Sequence, residues 1–363
     1  MIPPLLLRLL PLLFCLLTMH PARGQAVPEP SLPSADRIRL AEAFRLKAWI
    51  GERVWPGWSR TIFPVLLVTR DQEFLVGHPA PSDDFRPLGR DALLGQEVLV
   101  RKRVFPPNLM ATFPAVNGIS TVVVGQAPNT DSPQSTAWVL TLLHEHFHQW
   151  QSGAPGYFAS VDSLGLSGGD KTGMWMLNYP FPYAKPAVAG QFRTLSRSLA
   201  RALDTSQGGA DTVAAAQSRL ASLVSPDEFR YLDFQLWQEG VARYTELRVA
   251  ELAASGYQPD AQFAALPDFR PYGRQAATIR AAMLRELKDV KLAEQRRVAV
   301  YAMGAGLALL LDREQPEWRM RYLEQPFTLS KPVEAAAPKQ VDIQDKPATP
   351  GERVSDIPVH HQK

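Results

Sequence analysis

Leu142-Leu143-His144-Glu145-His146-Phe147-His148-Gln149-Trp150-Gln151 is the stretch on which the reading of this chain turns. Upstream of it, Ala137, Trp138, Leu140, Leu142 and Leu143 recur at helical spacing after Ser132-Pro133, a capping residue followed by proline at a first helical position. Downstream, Gly153-Ala154-Pro155-Gly156 stops the pattern. The histidines therefore fall on a helix, where positions i and i+4 share a face, and His144 and His148 are placed to turn one ring nitrogen each to a single metal ion. Glu145 is rotated by one residue, beside such an ion without ligating it, where a carboxylate can take a proton from water. His146 faces elsewhere. The competing reading of the same residues is a solvated surface cluster of histidines.

A catalytic zinc site normally takes three protein ligands. Of the seven histidines, His20, His78, His360 and His361 stand apart, and none follows closely downstream of His148. The third ligand is therefore sought among carboxylates, in Trp237-Gln238-Glu239-Gly240-Val241-Ala242-Arg243-Tyr244-Thr245-Glu246, inside a helical stretch that starts near Pro226. Glu239 is the candidate. Gly240 after it costs a helix interior about 1 kcal/mol relative to alanine, a cost that close backbone approach to another element would justify. Glu246 shares the face of Glu239 and is placed to orient a ligand or to pair with an arginine. Taken without the histidines, Glu239 reads as an ordinary surface carboxylate.

Around this centre the chain reads as α+β. A helix is expected over 36–49, capped by Ser34 or Asp36, then strands over 62–69, 73–76, 97–104 and 119–125, making a small mixed sheet. Beyond residue 129 the patterns are mainly helical, resuming at 187–203, 213–223, 226–254 and 274–312. The expected organisation is a leader at 1–24, a helix plus β-rich region at 25–128, a helical metal-site region at 129–325 with an insertion over about 153–225, and a disordered tail at 326–363. The insertion is rich in glycine, proline and aromatic residues, including Trp175, Tyr179, Phe181 and Tyr183.

With 363 residues and 45% hydrophobic content, the chain has ample material for a core. Arg8, the leucine-dense run to Leu17 and Ala22-Arg23-Gly24 have the layout of a secretory signal peptide cut near Gly24, which implies a periplasmic or secreted product. A lipid-modified Cys15 is the alternative, with bulky Phe14 against it. Cleavage removes the sole cysteine, so disulfides and cysteine-ligated zinc are excluded from the mature chain. A formal charge of +3 is too small for a nucleic-acid footprint, and no later stretch is apolar enough for a transmembrane helix.

His144-Glu145-x-x-His148-Gln149-Trp150 followed by Trp237-x-Glu239-Gly240-x-Ala242-x-Tyr244-x-Glu246 resembles the zinc core of gluzincin metallopeptidases, most closely the aminopeptidase N and leukotriene-hydrolase group. The resemblance implies a zincin-like fold, Zn2+ held by His144, His148 and Glu239, Glu145 as general base, and a peptide or protein substrate. It also implies an oxyanion-stabilising tyrosine at a Tyr-x-x-Gly helix start, which Tyr301-Ala302-Met303-Gly304 matches; a core tyrosine is the other reading of Tyr301. Two departures stand out. His148 and Glu239 lie 91 positions apart, far more than in that group, and Val116-Asn117-Gly118-Ile119-Ser120-Thr121 stands in place of the Gly-x-Met-Glu-Asn segment that anchors a substrate amino terminus. What carries over is hydrolytic chemistry rather than aminopeptidase specificity. Two other classes remain open at this stage: a non-catalytic, zinc-stabilised binding module and a metal-free binding protein.

Overall fold

Val65-Leu66-Leu67-Val68 is apolar at every position, the pattern of a strand covered on both faces. The computed structural model, which describes residues 30–205 and 208–329, places it near the middle of a six-stranded mixed sheet. The leader at 1–24 and the tail from 330 lie outside the described residues. The strands are β1 (Val65–Val68), β2 (Gln72–Val76), β3 (Arg86–Asp91), β4 (Gln96–Lys102), β5 (Met110–Val116) and β6 (Ile119–Gly125), in the order β3-β4-β2-β1-β6-β5. β1 and β6 run parallel and every other pairing is antiparallel. Alternation divides the apolar residues: Val65, Leu67, Val122 and Val124 face the main core, while Leu66, Val68 and Val123 face a smaller one with Phe85 and Val116. Gly125 lets the segment before β5 cross closely, since a Cβ there would meet the Pro107 carbonyl oxygen at 2.0 Å.

β3 and β5 are absent from the expected strands. Arg86-Pro87-Leu88-Gly89-Arg90-Asp91 carries proline, glycine and three charges, and Pro114 interrupts β5. Both are edge strands, where proline and polar residues are tolerated. Their presence makes β6 an interior strand.

The helices are α1 (Ser34–Ile50), α2 (Ser135–Ser152), α3 (Tyr157–Ser163), α4 (Trp175–Asn178), α5 (Pro186–Asp204) and α6 (Ala210–Ala221) in the first half of the helical order. The second half comprises α7 (Pro226–Gln235), α8 (Val241–Gly256), α9 (Ala261–Ala264), α10 (Tyr272–Lys288), α11 (Leu292–Gln295) and α12 (Ala299–Glu314). Among the described residues no helix is long and apolar enough to cross a membrane.

Long-range hydrogen bonds set two helix starts that local capping was expected to set. α1 begins at Ser34, and Asp36 is buried against Arg39 at 2.9 Å and Gln126 at 2.5 Å instead of capping. α2 begins at Ser135 rather than after Ser132, because Asp268 accepts from both the Ser135 amide at 3.0 Å and its hydroxyl at 2.7 Å. α2 is strapped antiparallel along β6: Trp138 Nε1 donates to the Gly125 carbonyl at 2.9 Å, and Gln149 Nε2 donates to the Ser120 carbonyl at 2.9 Å. At the far end of the chain, Phe327 and Leu329 are buried, with the Phe327 ring 5.1 Å from Trp237, so the core runs four residues into what reads as tail.

Candidate metal centre

α2 presents His144 and His148 side by side, ring centroids 5.1 Å apart. His146, on the opposite face, is fully buried between Phe63 and Trp58, with centroids at 3.9 and 5.5 Å. Burial holds its pKa down to about 3, so it is a neutral core histidine. The expectation that only His144 and His148 face the centre agrees with this geometry.

Glu239 arrives from the second helical stretch. Between α7 and α8 the backbone widens into one π-helical turn, Leu236–Gly240, which carries Glu239. This turn packs directly on α12. A Cβ on Gly240 would lie 2.4 Å from the Gly304 Cα, and one on Gly304 would lie 2.6 Å from both the Gly240 Cα and the Leu236 carbonyl oxygen. The glycine that looked costly on a helix is thus required by contact with the glycine of Tyr301-x-x-Gly304.

His144, His148 and Glu239 form a group that can hold a metal ion, each offering one ligand atom with all three within 4.8 Å of one another. Two nitrogens and one carboxylate oxygen suit a divalent transition metal. A tetrahedral zinc shell has ligand atoms about 3.3 Å apart, and His148 Nε2 already lies 3.6 Å from Glu239 Oε2.

The outward ring nitrogens are held. Arg243 Nη1 meets Glu246 Oε2 at 3.0 Å, the arginine pairing open to Glu246 in the sequence, and His144 Nδ1 faces the same oxygen at 3.7 Å. His148 Nδ1 lies 2.7 Å from Gln151 Oε1. The Gln151 amide nitrogen faces the Trp237 and Gln238 carbonyls at 3.4 and 3.3 Å and the Tyr322 hydroxyl at 2.7 Å. Carbonyl oxygens only accept, which requires the NH2 end there and the oxygen toward His148. Tyr322 in turn donates to the Trp237 carbonyl at 2.6 Å. In its neutral form His148 then keeps its proton on Nδ1 and leaves the Nε2 lone pair for a metal ion.

Electrostatics follow from this packing. Burial disfavours the charged form of His148, but the facing Glu239 carboxylate outweighs it and lifts the pKa to about 9. Burial would raise Glu239, yet His148 and then Arg297 hold it down at about 2. Burial likewise opposes ionisation of Glu246, and Arg243, followed by His144, brings it to about 2.

Glu145 stands beside the triad, its Oε2 2.8 Å from the Thr112 hydroxyl on β5, which also lies 2.9 Å from the Glu145 carbonyl oxygen. Tyr301, on the first turn of α12, lies nearly parallel to the His144 ring at 6.3 Å, and its hydroxyl accepts from Arg297 Nη1 at 3.1 Å. Arg297 Nη1 is also 3.3 Å from Glu239 Oε1. Burial and the Glu239 charge both push the Tyr301 phenol upward, keeping it protonated. His144, Glu145, His148, Glu239, Glu246 and Tyr301 therefore lie around one place. Thr112 and Arg297 join them without sequence warning, being common residue types outside any motif, while Gln151 and Arg243 lie inside the quoted stretches without an assigned role. No protein-family profile, curated protein or solved structure matches the chain.

Proposed function

We propose that the protein is an exported zinc-dependent peptidase of gluzincin type. The observation that carries the reading is the convergence of His144, His148 and Glu239 from two separate helical elements, with the Glu145 carboxylate oriented beside them by Thr112. The zincin-like part of the fold belongs to the same proposal, supported by a mixed sheet followed by helices that carry the ligands.

Zinc, when bound by these three residues, supplies a Lewis acid that polarises a carbonyl and acidifies water. Glu145 takes the proton of the attacking water and hands it to the leaving amine. The protonated Tyr301 hydroxyl is placed to donate to the oxygen on which negative charge develops, with the Arg297 contact on a lone pair of the phenol. An extended peptide would add to the free edge of β5. β6 cannot take this role, because it is paired on both sides, to β1 and β5.

The test is Glu145→Ala in the purified mature chain, measured by digestion of a peptide library and by elemental analysis. About one zinc per chain with hydrolysis abolished is expected. Substantial residual hydrolysis would remove Glu145 as the base, and zinc without hydrolysis in the parent protein would favour a non-catalytic, zinc-stabilised module.

A further inference from the structure

Arg297 precedes α12 and touches the site twice with one nitrogen. Nη1 donates to the Tyr301 hydroxyl at 3.1 Å and lies in an ion pair with Glu239 Oε1 at 3.3 Å. The remaining donors, Nε–H and the two on Nη2, have no acceptor among the described residues, although the side chain is only 23% exposed. Nε and Nη2 form the side edge of the guanidinium, whose parallel N–H bonds match the two oxygens of a carboxylate. A shielded arginine with one edge fixed and the other unfilled is therefore built to receive an anion. The other site arginine is not equivalent: Arg243 contacts Glu246 behind His144, away from Glu239.

The surroundings favour the same occupant. Arg296 lies over the Tyr183 ring at 5.6 Å, and the Arg297 charge reaches the phenols of Tyr183 and Tyr231. Tyr183 of the 153–225 stretch thus lies against the neighbouring Arg296, and the Arg297 side chain is itself only 23% exposed, which strengthens a charge-assisted bond there. Glu239 cannot fill the open edge, since its contact runs through Nη1.

We propose that the Nε–Nη2 edge of Arg297 docks a substrate carboxylate next to the scissile bond, so that the preferred substrates are peptides bearing a carboxylate at that place. This rests on the peptidase reading and names its substrate class. A free carboxyl terminus and an acidic side chain share the required chemistry.

The experiment uses zinc-loaded Glu145→Gln protein and calorimetric titration with two probe pairs: N-acetyl-dialanine acid against its amide, and N-acetyl-glutamate amide against N-acetyl-glutamine amide. The carboxylate member of at least one pair is expected to bind about tenfold to a hundredfold more tightly. The acid–amide pair reports a carboxyl terminus and the glutamate–glutamine pair a side chain. Adding Arg297→Gln is expected to erase the preference while zinc stays at about one per chain, and Arg297→Lys to restore part of it, since lysine keeps the charge without the fork. Equal binding within both pairs, or a preference that survives in Arg297→Gln and Arg297→Lys alike, overturns the proposal. The parent enzyme separates the two failures. Hydrolysis with no carboxylate preference sinks this proposal and leaves the peptidase reading, whereas Arg297-dependent carboxylate binding without hydrolysis of any peptide sinks the peptidase reading and leaves only a carboxylate site at Arg297.

Discussion

Replacing Gln151 with leucine keeps the side-chain volume nearly constant but deletes the amide that joins the two ligand-bearing elements. Gln151 is buried, and its oxygen is the 2.7 Å partner of His148 Nδ1. In the variant that N–H faces an apolar group, and an orphaned buried donor costs about 1–3 kcal/mol. The ring can recover this only by turning or by moving its proton to Nε2, and either change spoils the lone pair offered to the metal. Loss of such an outer partner typically weakens metal binding about 10- to 100-fold, equivalent to about 1.4–2.7 kcal/mol. Tyr322 keeps its 2.6 Å bond to the Trp237 carbonyl, so the π turn stays anchored and the fold should survive. Competition titration with a chromophoric zinc chelator reads the affinity. Gln149→Leu is the control: it loses the strut to the Pro64 and Ser120 carbonyls, at 3.1 and 2.9 Å, and should melt earlier while zinc affinity changes little. If Gln151→Leu binds zinc within about threefold of the parent, the argument that Gln151 sets the His148 tautomer is wrong.

Two further outcomes follow from the geometry. Gly240→Ala puts a Cβ 2.4 Å from the Gly304 Cα, so α8 and α12 must separate, at about 1–3 kcal/mol in urea unfolding together with weaker zinc binding. Gly190→Ala, with nothing within 4 Å of the new Cβ, should instead gain up to about 1 kcal/mol, and equal effects at the two sites would count against the helix contact. For pH, His148 is raised from 6.5 to about 9, so the metal-free protein holds a proton there at neutral pH that zinc must displace. Apparent zinc affinity should rise about tenfold per pH unit from 7 toward 9 and then level off, and calorimetry in two buffers should detect the released proton; no release at pH 7.5 would contradict the assignment. In the metal-free protein the raised His148 pKa contributes stability that is full below 6.5 and lost as pH rises through about 9. The depressed Glu239 contributes above 4.5 and loses its share as pH falls through about 2.

Legibility in the sequence followed the range of the interactions. His144, Glu145 and His148 could be placed because their relation is a local consequence of 3.6 residues per turn. The central strands could be placed because Val65–Val68 is wholly apolar and Ile119–Gly125 is rich in β-branched residues. β3 and β5 could not, since the prolines that argue against strands are admissible at an edge, and edge status depends on which neighbours assemble. The start of α2 was misread for a related reason: its cap, Asp268, comes from 133 residues away. Gly240 was read correctly as a mark of close approach, but the partner, Gly304, became identifiable only once α12 lay against the π turn.

By itself, then, the sequence determined the α+β character, the helix that carries two candidate ligands and a base, and the short set of carboxylates from which a third ligand had to come. Tertiary structure decided the rest. A π turn seated glycine to glycine on α12 aims Glu239, a buried glutamine chooses which nitrogen His148 offers, and an arginine four residues before Tyr301 keeps one edge open. The physical reason is that spacing fixes angles within one helix, whereas the meeting of two helices depends on side-chain volume and hydrogen-bond direction, summed over residues far apart in the chain.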